Sequence, residues 1–312
     1  MTLSNQIRAV VVDDAGRLTL APVAPPEPKP GEALVKVAAI SLNRGEVKTA
    51  MSAAPGWRPG WDFAGTIVEA AADGSGLPAG TRVVGFAPVG AWAEYLASSS
   101  FAMAALRDEV SFEAAATLPV AGATALHALR RGPKTPGRQV LITGASGGVG
   151  VYAIQLAAGA GDEVTAAIRS PANEALVRSL GAKHVTIGET LAGDIGPFDL
   201  IVESVGGRTL GTALGLLAPG GTCVNLGSSE TTTAEFDITK FRGAGGTTLY
   251  GLAMFYELQH EPPSATLAEL AAFVAAGKLK PQIERRGPVS DIAEVAQGLM
   301  ARQFAGKAVL SF

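Results

Sequence analysis

The chain has very few residues of the kinds that bind zinc or form disulfide bonds. Its 312 residues include one cysteine, Cys223, and three histidines, His127, His184 and His260. A single cysteine excludes an intrachain disulfide and a zinc site built from several cysteines. Cys223 lies in the apolar run 222–226, so we expect a small buried hydrophobic residue. The histidines are widely separated along the chain, and we predict no metal site.

Positive charge is not in excess either. Lys and Arg number 25 against 28 Asp and Glu, a net charge of −3, and no basic run occurs. This balance disfavours nucleic acid and anionic membrane, so we expect a small-molecule partner. Arg8, Asp13 and Asp14 interrupt any secretory pattern, and the weakly polar stretch 114–129 is too short to span a bilayer. We therefore expect a soluble, cytoplasmic protein.

The strongest positive signal is the order of strand, glycine turn, helix and second strand over residues 139–170. An apolar strand at 139–143 runs into the sequence GASGGVG at 144–150, and an apolar helix follows. Glycines let the backbone turn sharply and approach a pyrophosphate, to which the helix N-terminus offers free N–H groups and a positive dipole end. This order predicts a dinucleotide-binding site.

The residues after the second strand bear on the choice of cofactor. NAD-binding proteins usually place Asp or Glu there for the ribose 2′-hydroxyl, whereas this chain has Arg169 and Ser170. A guanidinium pairs with phosphate in a fork geometry, and the serine adds a hydroxyl donor. The pair favours NADPH, with a solvated arginine at a strand end as the alternative.

The pattern of predicted secondary structure divides the chain into two regions. Residues 1–115 carry short Val- and Ile-containing runs bounded by Gly, Pro and Asp, which predict strands. Between them, the proline-rich segment 21–31 is expected to be a surface connection, because proline cannot occupy a central strand. The predicted strands lie at 7–12, 33–40, 65–71 and 82–86.

From about residue 116 strands alternate with helices, which predicts a doubly wound parallel sheet in an α/β fold. The terminal strand 307–312 is expected to rejoin the amino-terminal domain. We thus predict a first domain of 1–115 completed by 266–312, and a nucleotide-binding domain of 116–265. The six sheet strands are expected at 139–143, 163–168, 184–187, 198–202, 221–226 and 247–252, with helices at 171–180, 208–217, 265–276 and 292–302.

Separated segments together resemble one family. They are PGWDFAG at 59–65, GAWAEY at 90–95, AATLP at 115–119, the glycine turn, SVGG at 204–207, PGG at 219–221 and GKAVL at 306–310. The chain resembles the zinc-independent quinone oxidoreductase branch of the medium-chain dehydrogenase/reductase superfamily. The resemblance implies a GroES-like β-barrel domain, a Rossmann domain, NADPH and a homodimer paired through the last Rossmann strand near 247–253. We also expect no helix between that strand and Gln259, which leaves an exposed edge.

The resemblance allows the zinc question to be weighed by position. Zinc-dependent relatives have Cys, His and Cys where this chain has Asn43, Trp61 followed by Asp62, and the 118–120 region. None of these is a sulphur or imidazole ligand. Without a Lewis acid, reduction of an already polarised acceptor is favoured over alcohol oxidation.

Matching segments also imply residue roles. Asn43 resembles the family asparagine beside the nicotinamide, and its amide could donate to a developing enolate oxygen; the alternative, not exclusive of this, is a cap on the next helix. Trp57 and Trp61 could form an apolar slot for a flat substrate, and Trp57 could instead seal a domain interface. Tyr250 could line the pocket and donate a proton, or pack in the core or a dimer interface. The implied cofactor residues are Asn43, Thr124, Gly147, Gly148, Val149, Arg169, Ser170, Ser204, Val205, Leu226, Gly227, Gly251 and Leu252.

The function implied is NADPH-dependent transfer of hydride to a quinone or an α,β-unsaturated carbonyl without a metal. Negative charge then develops on the carbonyl oxygen, where a few donors or a water can stabilise it. Two alternatives remain open: an enoyl-thioester reductase of polyketide or fatty-acyl metabolism, and a non-catalytic NADPH-binding protein.

Overall fold

The computed structural model describes residues 4–191 and 195–312, which divide into two compact units. Unit 1 holds the described residues up to Ala123 together with Leu258–Phe312, and unit 2 holds Thr124–Glu257. Unit 2 is therefore inserted between the two segments of the chain that form unit 1.

The strands occur in both units. Val, Ile and Leu dominate most of them, as expected of residues that pack on a pleated surface. In chain order they are β1 (Ile7–Val12), β2 (Leu18–Val23), β3 (Glu32–Ser41), β4 (Asp62–Glu69), β5 (Arg82–Phe86), β6 (Tyr95–Ser99), β7 (Met103–Ala105), β8 (Gln139–Ile142), β9 (Glu163–Ile168), β10 (His184–Ile187), β11 (Phe198–Glu203), β12 (Leu217–Asn225), β13 (Thr248–Gly251), β14 (Ile283–Pro288) and β15 (Lys307–Ser311).

The helices are mostly short and alternate with strands in unit 2. A π-helical turn, Leu118–Gly122, separates α2 from α3, and a 3₁₀ turn, Pro171–Asn173, precedes α5. The α-helices are α1 (Arg44–Ala50), α2 (Phe112–Ala116), α3 (Ala123–Arg130), α4 (Gly150–Gly159), α5 (Glu174–Ser179), α6 (Gly207–Leu214), α7 (Ile238–Gly243), α8 (Met254–His260), α9 (Pro263–Ala275) and α10 (Ile292–Met300). None within the described ranges is long and apolar enough to cross a bilayer.

Unit 1 is built on a seven-stranded sheet in which β14, β15, β3, β4, β5 and β7 follow one another and β6 also pairs with β3. The expected return of the terminal strand is confirmed, since Val309 of β15 lies opposite Ser41 of β3 in an antiparallel register. Phe63, Trp92 and Ile40 lie at the centre of the apolar core that this sheet covers.

Unit 2 contains a six-stranded sheet of order β10-β9-β8-β11-β12-β13, in which every pairing is parallel. The predicted doubly wound parallel sheet is confirmed. Cys223 is buried in the core of this unit with Leu141 and Ile201, as expected. The order reverses direction between β8 and β11, which is where ligands bind in such sheets, at the carboxyl ends of the strands.

Two local predictions were wrong. Residues 21–23 belong to β2, so the segment 21–31 is not all connection. Pro22 is tolerated because, in the part of the chain that the structure describes, β2 pairs with β1 and with no second strand. A helix, α8, also begins at Met254, directly after β13, where none was expected before Gln259. The strand itself does lie at the end of its sheet, paired only with β12.

Candidate active site

The glycine turn joins β8 to α4 in unit 2 through a backbone that only glycine fits at several points. Gly144 has φ +56°, and the N–H of Gly147 donates to its carbonyl at 2.8 Å. A Cβ at Gly150 would lie 2.5 Å from the carbonyl oxygen of Ala145. The turn is therefore compact and delivers the chain to the first residues of α4, with Val149 as the N-cap.

The end of β9 presents an exposed cation. Arg169 is exposed and has no hydrogen bond or ion pair with any residue in the described ranges. Ser170 accepts the N–H of Ala172 at 3.3 Å, which caps the 3₁₀ turn, and its own O–H remains a donor. Asn173 in that turn donates to Ser146 Oγ of the glycine turn at 3.2 Å. The guanidinium is thus available to an anion at the carboxyl edge.

A buried carboxylate that the sequence reasoning missed organises the neighbouring strand ends. Glu203, the last residue of β11, is fully buried and accepts the N–H groups of Val205 (2.7 Å) and Gly206 (3.0 Å). It also accepts the side chains of Asn225 (2.7 Å) and Thr143 (3.2 Å). The available signal was an acidic residue at the end of a strand whose three preceding residues, Leu200 to Val202, are apolar. Because its partners come from three strand ends, Glu203 fixes the shape of this edge.

The remaining predicted cofactor residues gather around it. Ser204 Oγ donates to the carbonyl of Thr143 at 3.0 Å, and the N–H of Leu226 donates to the carbonyl of Glu203 at 2.8 Å. The N–H of Leu252 donates to the carbonyl of Asn225 at 2.8 Å. Thr124, by contrast, is buried in α3. The other predicted cofactor residues of unit 2 lie at the carboxyl edge of one sheet: Gly147, Gly148, Val149, Arg169, Ser170, Ser204, Val205, Leu226, Gly227, Gly251 and Leu252.

In unit 1, Asn43 lies in a buried polar cluster. Its Nδ2 donates to Glu46 Oε1 (2.9 Å) and Asp62 Oδ2 (2.8 Å), and its Oδ1 accepts from Lys307 Nζ at 2.6 Å. Glu46 also accepts the backbone N–H of Asn43 at 2.7 Å, at the start of α1. Asn43 is therefore the N-cap residue of α1, as the alternative proposed, and both of its amide hydrogens are engaged. Its predicted role toward an acceptor stays a prediction.

The cluster holds two carboxyls and one ammonium out of water. Asp62, Glu46 and Lys307 are 0%, 0% and 2% exposed. Burial raises the pKa of Asp62, although Lys307, Asn43, Ser41 and Val120 oppose the shift. Burial and the charge of Asp62 raise the pKa of Glu46 well above its usual value. Burial lowers the pKa of Lys307, against the attraction of both carboxyls.

A zinc ion does not fit these residues. The ammonium of Lys307 is held by the oxygens of Asn43 (2.6 Å), Leu42 (2.9 Å) and Asp62 (3.4 Å). In the third region compared with zinc ligands, 118–120, Val120 contributes a backbone N–H, which donates to Asp62 at 3.0 Å. Across residues 4–191 and 195–312, no three His, Cys, Asp or Glu side chains group as a metal site.

Tyr250 belongs to another polar cluster, in unit 2. Its hydroxyl donates to Glu257 at 2.6 Å, and Arg131 pairs with the same carboxylate while its guanidinium lies 4.5 Å from the tyrosine ring centre. The hydrogen bond to Glu257 raises the pKa of Tyr250. The arrangement joins β13 to α8 and favours the packing alternative over proton donation.

Trp57 and Trp61 lie in unit 1, on the loop before β4. The carbonyl of Trp57 accepts the N–H of Val12 at 3.0 Å, and the N–H of Trp61 donates to Glu46 at 2.7 Å. A Cβ at Gly45 would lie 2.9 Å from the Trp61 ring, which therefore packs directly on α1. Both rings are half-buried. The loop is thus fixed at both tryptophans.

Unit 1, built on a seven-stranded sheet, and unit 2, with a parallel sheet and this glycine turn, are the two parts expected of a chain with a dinucleotide-binding domain. Family models agree: residues 29–108 match the alcohol dehydrogenase GroES-like domain, and residues 148–274 match the zinc-binding dehydrogenase family. The predicted combination of a GroES-like and a Rossmann domain is confirmed. The chain belongs to the medium-chain dehydrogenase/reductase superfamily, as a quinone oxidoreductase-like member.

The curated relatives differ in length and chemistry. The chain is 32% identical to the polyketide synthase protein NorB of Streptomyces orinoci over 90% of its own length, but it spans only 13% of that protein. It spans 15% of a phenolphthiocerol/phthiocerol polyketide synthase subunit of Mycobacterium tuberculosis. It is 30% identical to 2-methylene-furan-3-one reductase of Solanum lycopersicum, over 86% of this chain and 68% of that one.

Two solved structures are similar along nearly the whole chain. The quinone oxidoreductase of Coxiella burnetii superposes with a TM-score of 0.85 at 28% identity, covering 98% of this chain and 99% of that one. A mycobacterial protein, Rv1454c, complexed with NADPH superposes with a TM-score of 0.87 at 25% identity, covering 98% and 100%.

Proposed function

We propose that the protein is a cytoplasmic, NADPH-dependent reductase that transfers hydride to a quinone or an α,β-unsaturated carbonyl without a metal ion. The observation that carries the proposal is the lysine ammonium of Lys307, held by Asn43 and Asp62 where zinc-dependent relatives have metal ligands. Without a Lewis acid an alkoxide is poorly stabilised, whereas an activated alkene or quinone is already polarised for hydride attack.

The cofactor is proposed from the carboxyl edge of the unit 2 sheet. The pyrophosphate would bind at the glycine turn and the start of α4, where backbone N–H groups and the helix dipole favour an anion. Arg169, exposed and without an acidic partner, would pair with the 2′-phosphate, and the Ser170 hydroxyl would donate to it. The NADPH complex of the mycobacterial structure supports this choice. When bound, the cofactor supplies the hydride.

Residues of the chain position the reactants in this proposal. Glu203 holds the Ser204–Gly206 backbone, and the buried cluster holds Asn43 in one amide orientation, because Lys307 donates to its oxygen. Asn43 could serve the acceptor only if an amide hydrogen leaves Glu46 or Asp62. The acceptor oxygen would otherwise take its proton from water.

An enoyl-thioester reductase is the second candidate, and the polyketide synthase relatives favour it. The chemistry at the alkene would be the same, with a thioester in place of the ketone. A non-catalytic NADPH-binding protein is the third. It would bind NADPH but would not oxidise it, whichever acceptor is supplied.

We also propose a homodimer formed at β13. Among residues 4–191 and 195–312, β12 is the only strand paired with β13, so the other edge of β13 has backbone N–H and C=O groups with no strand partner there. Leu249 on the strand is 42% exposed, and Phe255 and Tyr256 on α8 are 43% and 55% exposed. Apolar side chains beside an open edge support pairing with a second copy.

The deciding experiment measures NADPH oxidation, by loss of its absorbance, against a naphthoquinone, an ortho-quinone, an enone and a crotonyl thioester, with NADH as control. Selective quinone or enone turnover supports the proposal, and selective thioester turnover replaces it with the second candidate. Tight NADPH binding with no turnover on any acceptor identifies a non-catalytic protein. The Asn43→Ala variant, compared with wild type on the acceptor that turns over, tests the role of the amide.

A further inference from the structure

A cavity at the amino edge of the unit 2 sheet is not used by the proposed reaction. Its volume is about 430 Å³, within the range of pockets that hold small ligands. Arg138 and Asp162, which line it, lie directly before β8 and β9. The glycine turn and Arg169 follow the same two strands, at the opposite edge. Because β9 has six residues, the two edges are about 20 Å apart.

A buried ion pair fixes one wall of the cavity. Arg138 Nη2 lies 2.6 Å from Asp162 Oδ2, and the two side chains are 11% and 3% exposed. Arg138 Nε donates to Asp162 Oδ1 at 3.0 Å, and its Nη1 donates to the carbonyl of Leu129, in the last turn of α3, at 2.9 Å. The pair therefore joins the end of α3 to the starts of two strands. Its two charges cancel.

Two exposed cations also line the cavity. Arg130 is the last residue of α3, and Lys134 lies in the loop that leads to β8. Lys134 forms no hydrogen bond or ion pair with any residue in the described ranges. Among the residues that the structure describes, Asp162 is the only acidic one in the lining. Since Arg138 neutralises it, the lining has an excess of two positive charges, in a chain whose net charge is −3.

The ends of two helices oppose this charge. Helix α3 ends at Arg130, and α4 ends at Gly159, directly before Ala160 of the lining. The C-terminal end of a helix carries about half of a negative charge, so the two ends offset about one of the two positive charges. The end of α3 is in part satisfied already, because the carbonyl of Leu129 accepts from Arg138. The cavity therefore keeps an excess of positive charge and should attract an anion.

We propose that this cavity is a binding site for a phosphate monoester, separate from the proposed cofactor site. The inference goes beyond the proposed reaction and does not depend on it. The Arg130 guanidinium can present two parallel N–H donors to a phosphate, Lys134 adds a compact charge, and the exposed Thr135 adds a hydroxyl donor. Pro133 and Ala160, in the same lining, offer apolar surface to the carbon part of the ester. A carboxylate has one charge and two oxygens, and it would leave some of these donors unused.

The test measures the binding of phenyl phosphate by isothermal titration calorimetry. The protein is first saturated with NADPH, so that phosphate groups already occupy the opposite edge of the sheet. We expect saturable binding in the millimolar range or below, and much weaker binding of benzoate and of the neutral benzyl alcohol. Inorganic phosphate is a further probe: equal affinity would show that the free anion is sufficient, and lower affinity would show that the ring of the ester contributes.

Variants place the binding in the cavity. Arg130→Gln and Lys134→Gln should each weaken phenyl phosphate binding about tenfold, the usual worth of a charge-assisted hydrogen bond, and should leave NADPH binding unchanged. Arg169→Gln should do the reverse, because Arg169 lies at the other edge. Arg178→Gln, which removes an exposed arginine elsewhere in unit 2, should change neither affinity.

The inference is overturned if wild type shows no saturable binding of phenyl phosphate, or if benzoate binds as tightly. It is overturned too if Arg130→Gln and Lys134→Gln both bind phenyl phosphate as wild type does. Thermal unfolding checks that each variant is folded. Arg130→Lys, which keeps the charge and loses the fork, should bind with intermediate affinity and provides the comparison if the glutamine variant does not fold.

Discussion

Lys307 Nζ lies 2.6 Å from Asn43 Oδ1, and this contact joins the last strand of the chain to the first helix across 264 residues of sequence. The same ammonium is 3.4 Å from Asp62 Oδ2. The lysine thereby sets which end of the Asn43 amide faces the carboxyls. The ammonium of Lys307, on β15, thus lies within this buried polar cluster.

Replacing Lys307 with methionine should destabilise the fold by about 3–5 kcal/mol, because the buried carboxyls of Asp62 and Glu46 would lose the buried cation that attracts both. Urea unfolding of the purified variant measures this. The matched control is Lys183→Met, which removes an exposed partner of Glu163 and should cost much less, because water screens exposed ion pairs. Equal effects of the two changes would contradict the importance of the buried pair.

Replacing Arg169 with glutamine should weaken NADPH binding about 10- to 100-fold and leave NADH binding unchanged, since only NADPH carries the 2′-phosphate. Cofactor fluorescence titration measures both constants. Arg178→Gln is the control, because Arg178 is already paired with Glu174 on α5. A parallel loss of NADPH and NADH affinity would show that Arg169 does not read the phosphate.

Glu203→Gln should lower stability by about 1–3 kcal/mol, because the amide that replaces one oxygen cannot accept the N–H and side-chain donors that meet there. Dinucleotide affinity should fall with it, for NADPH and NADH alike, since the Ser204–Gly206 backbone loses its anchor. Thermal unfolding and cofactor titration give the two readings. Glu235→Gln, at an exposed position, should change neither.

Stability should depend on pH through Glu163. Hydrogen bonds from Lys183 and His184 lower the pKa of Glu163 from 4.5 to about 2. The ionised Glu163 carboxylate therefore contributes fully to the stability of the fold above pH 4.5, the pKa of the unfolded chain. This contribution is lost as the pH falls toward 2, the pKa in the folded protein. The stability difference between wild type and Glu163→Gln should shrink over that range. A difference that stays constant between pH 6 and pH 2 would contradict the assignment.

Leu249→Lys should convert the proposed dimer to a monomer, because a charge on an open strand edge opposes pairing. Light scattering coupled to gel filtration measures the mass. Ile187→Lys is a close control: Ile187 is also 42% exposed and lies on β10, at the opposite edge of the same sheet. A monomeric wild type would refute the dimer, and loss of dimer in both variants would refute the choice of edge.

The sequence pattern was sufficient to predict those strands and helices whose boundaries are set by their own residues. The strands at 82–86 and 184–187 were predicted with the bounds that the structure shows, because glycine, proline or charge ends each apolar run. Helix α8 was missed because it has no recognisable start signal in sequence. Its Glu257 is held by Tyr250, which precedes it by 7 residues on β13, and by Arg131, which precedes it by 126 residues, and sequence spacing does not reveal the second partner.

Some residues of the candidate site could likewise be predicted from the sequence, and others could not. Gly144, Gly147 and Arg169 could be singled out because a glycine turn and the residue after the next strand have fixed places in a dinucleotide fold. Glu203 could not, since its importance comes from donors on β8 and β12 that meet it only in the folded sheet. Asn43 was identified as a site or a cap, and only its contacts showed that both amide hydrogens are engaged.

The sequence by itself determined the two-part α/β organisation, the parallel sheet and the nucleotide turn, because these follow from short-range periodicity and from glycines in a turn that leaves little room for side chains. The tertiary structure decided which charges are buried together. Asp62 and Lys307 meet only when the last strand pairs with β3. Burial and pairing depend on all neighbours at once, so no local pattern encodes them.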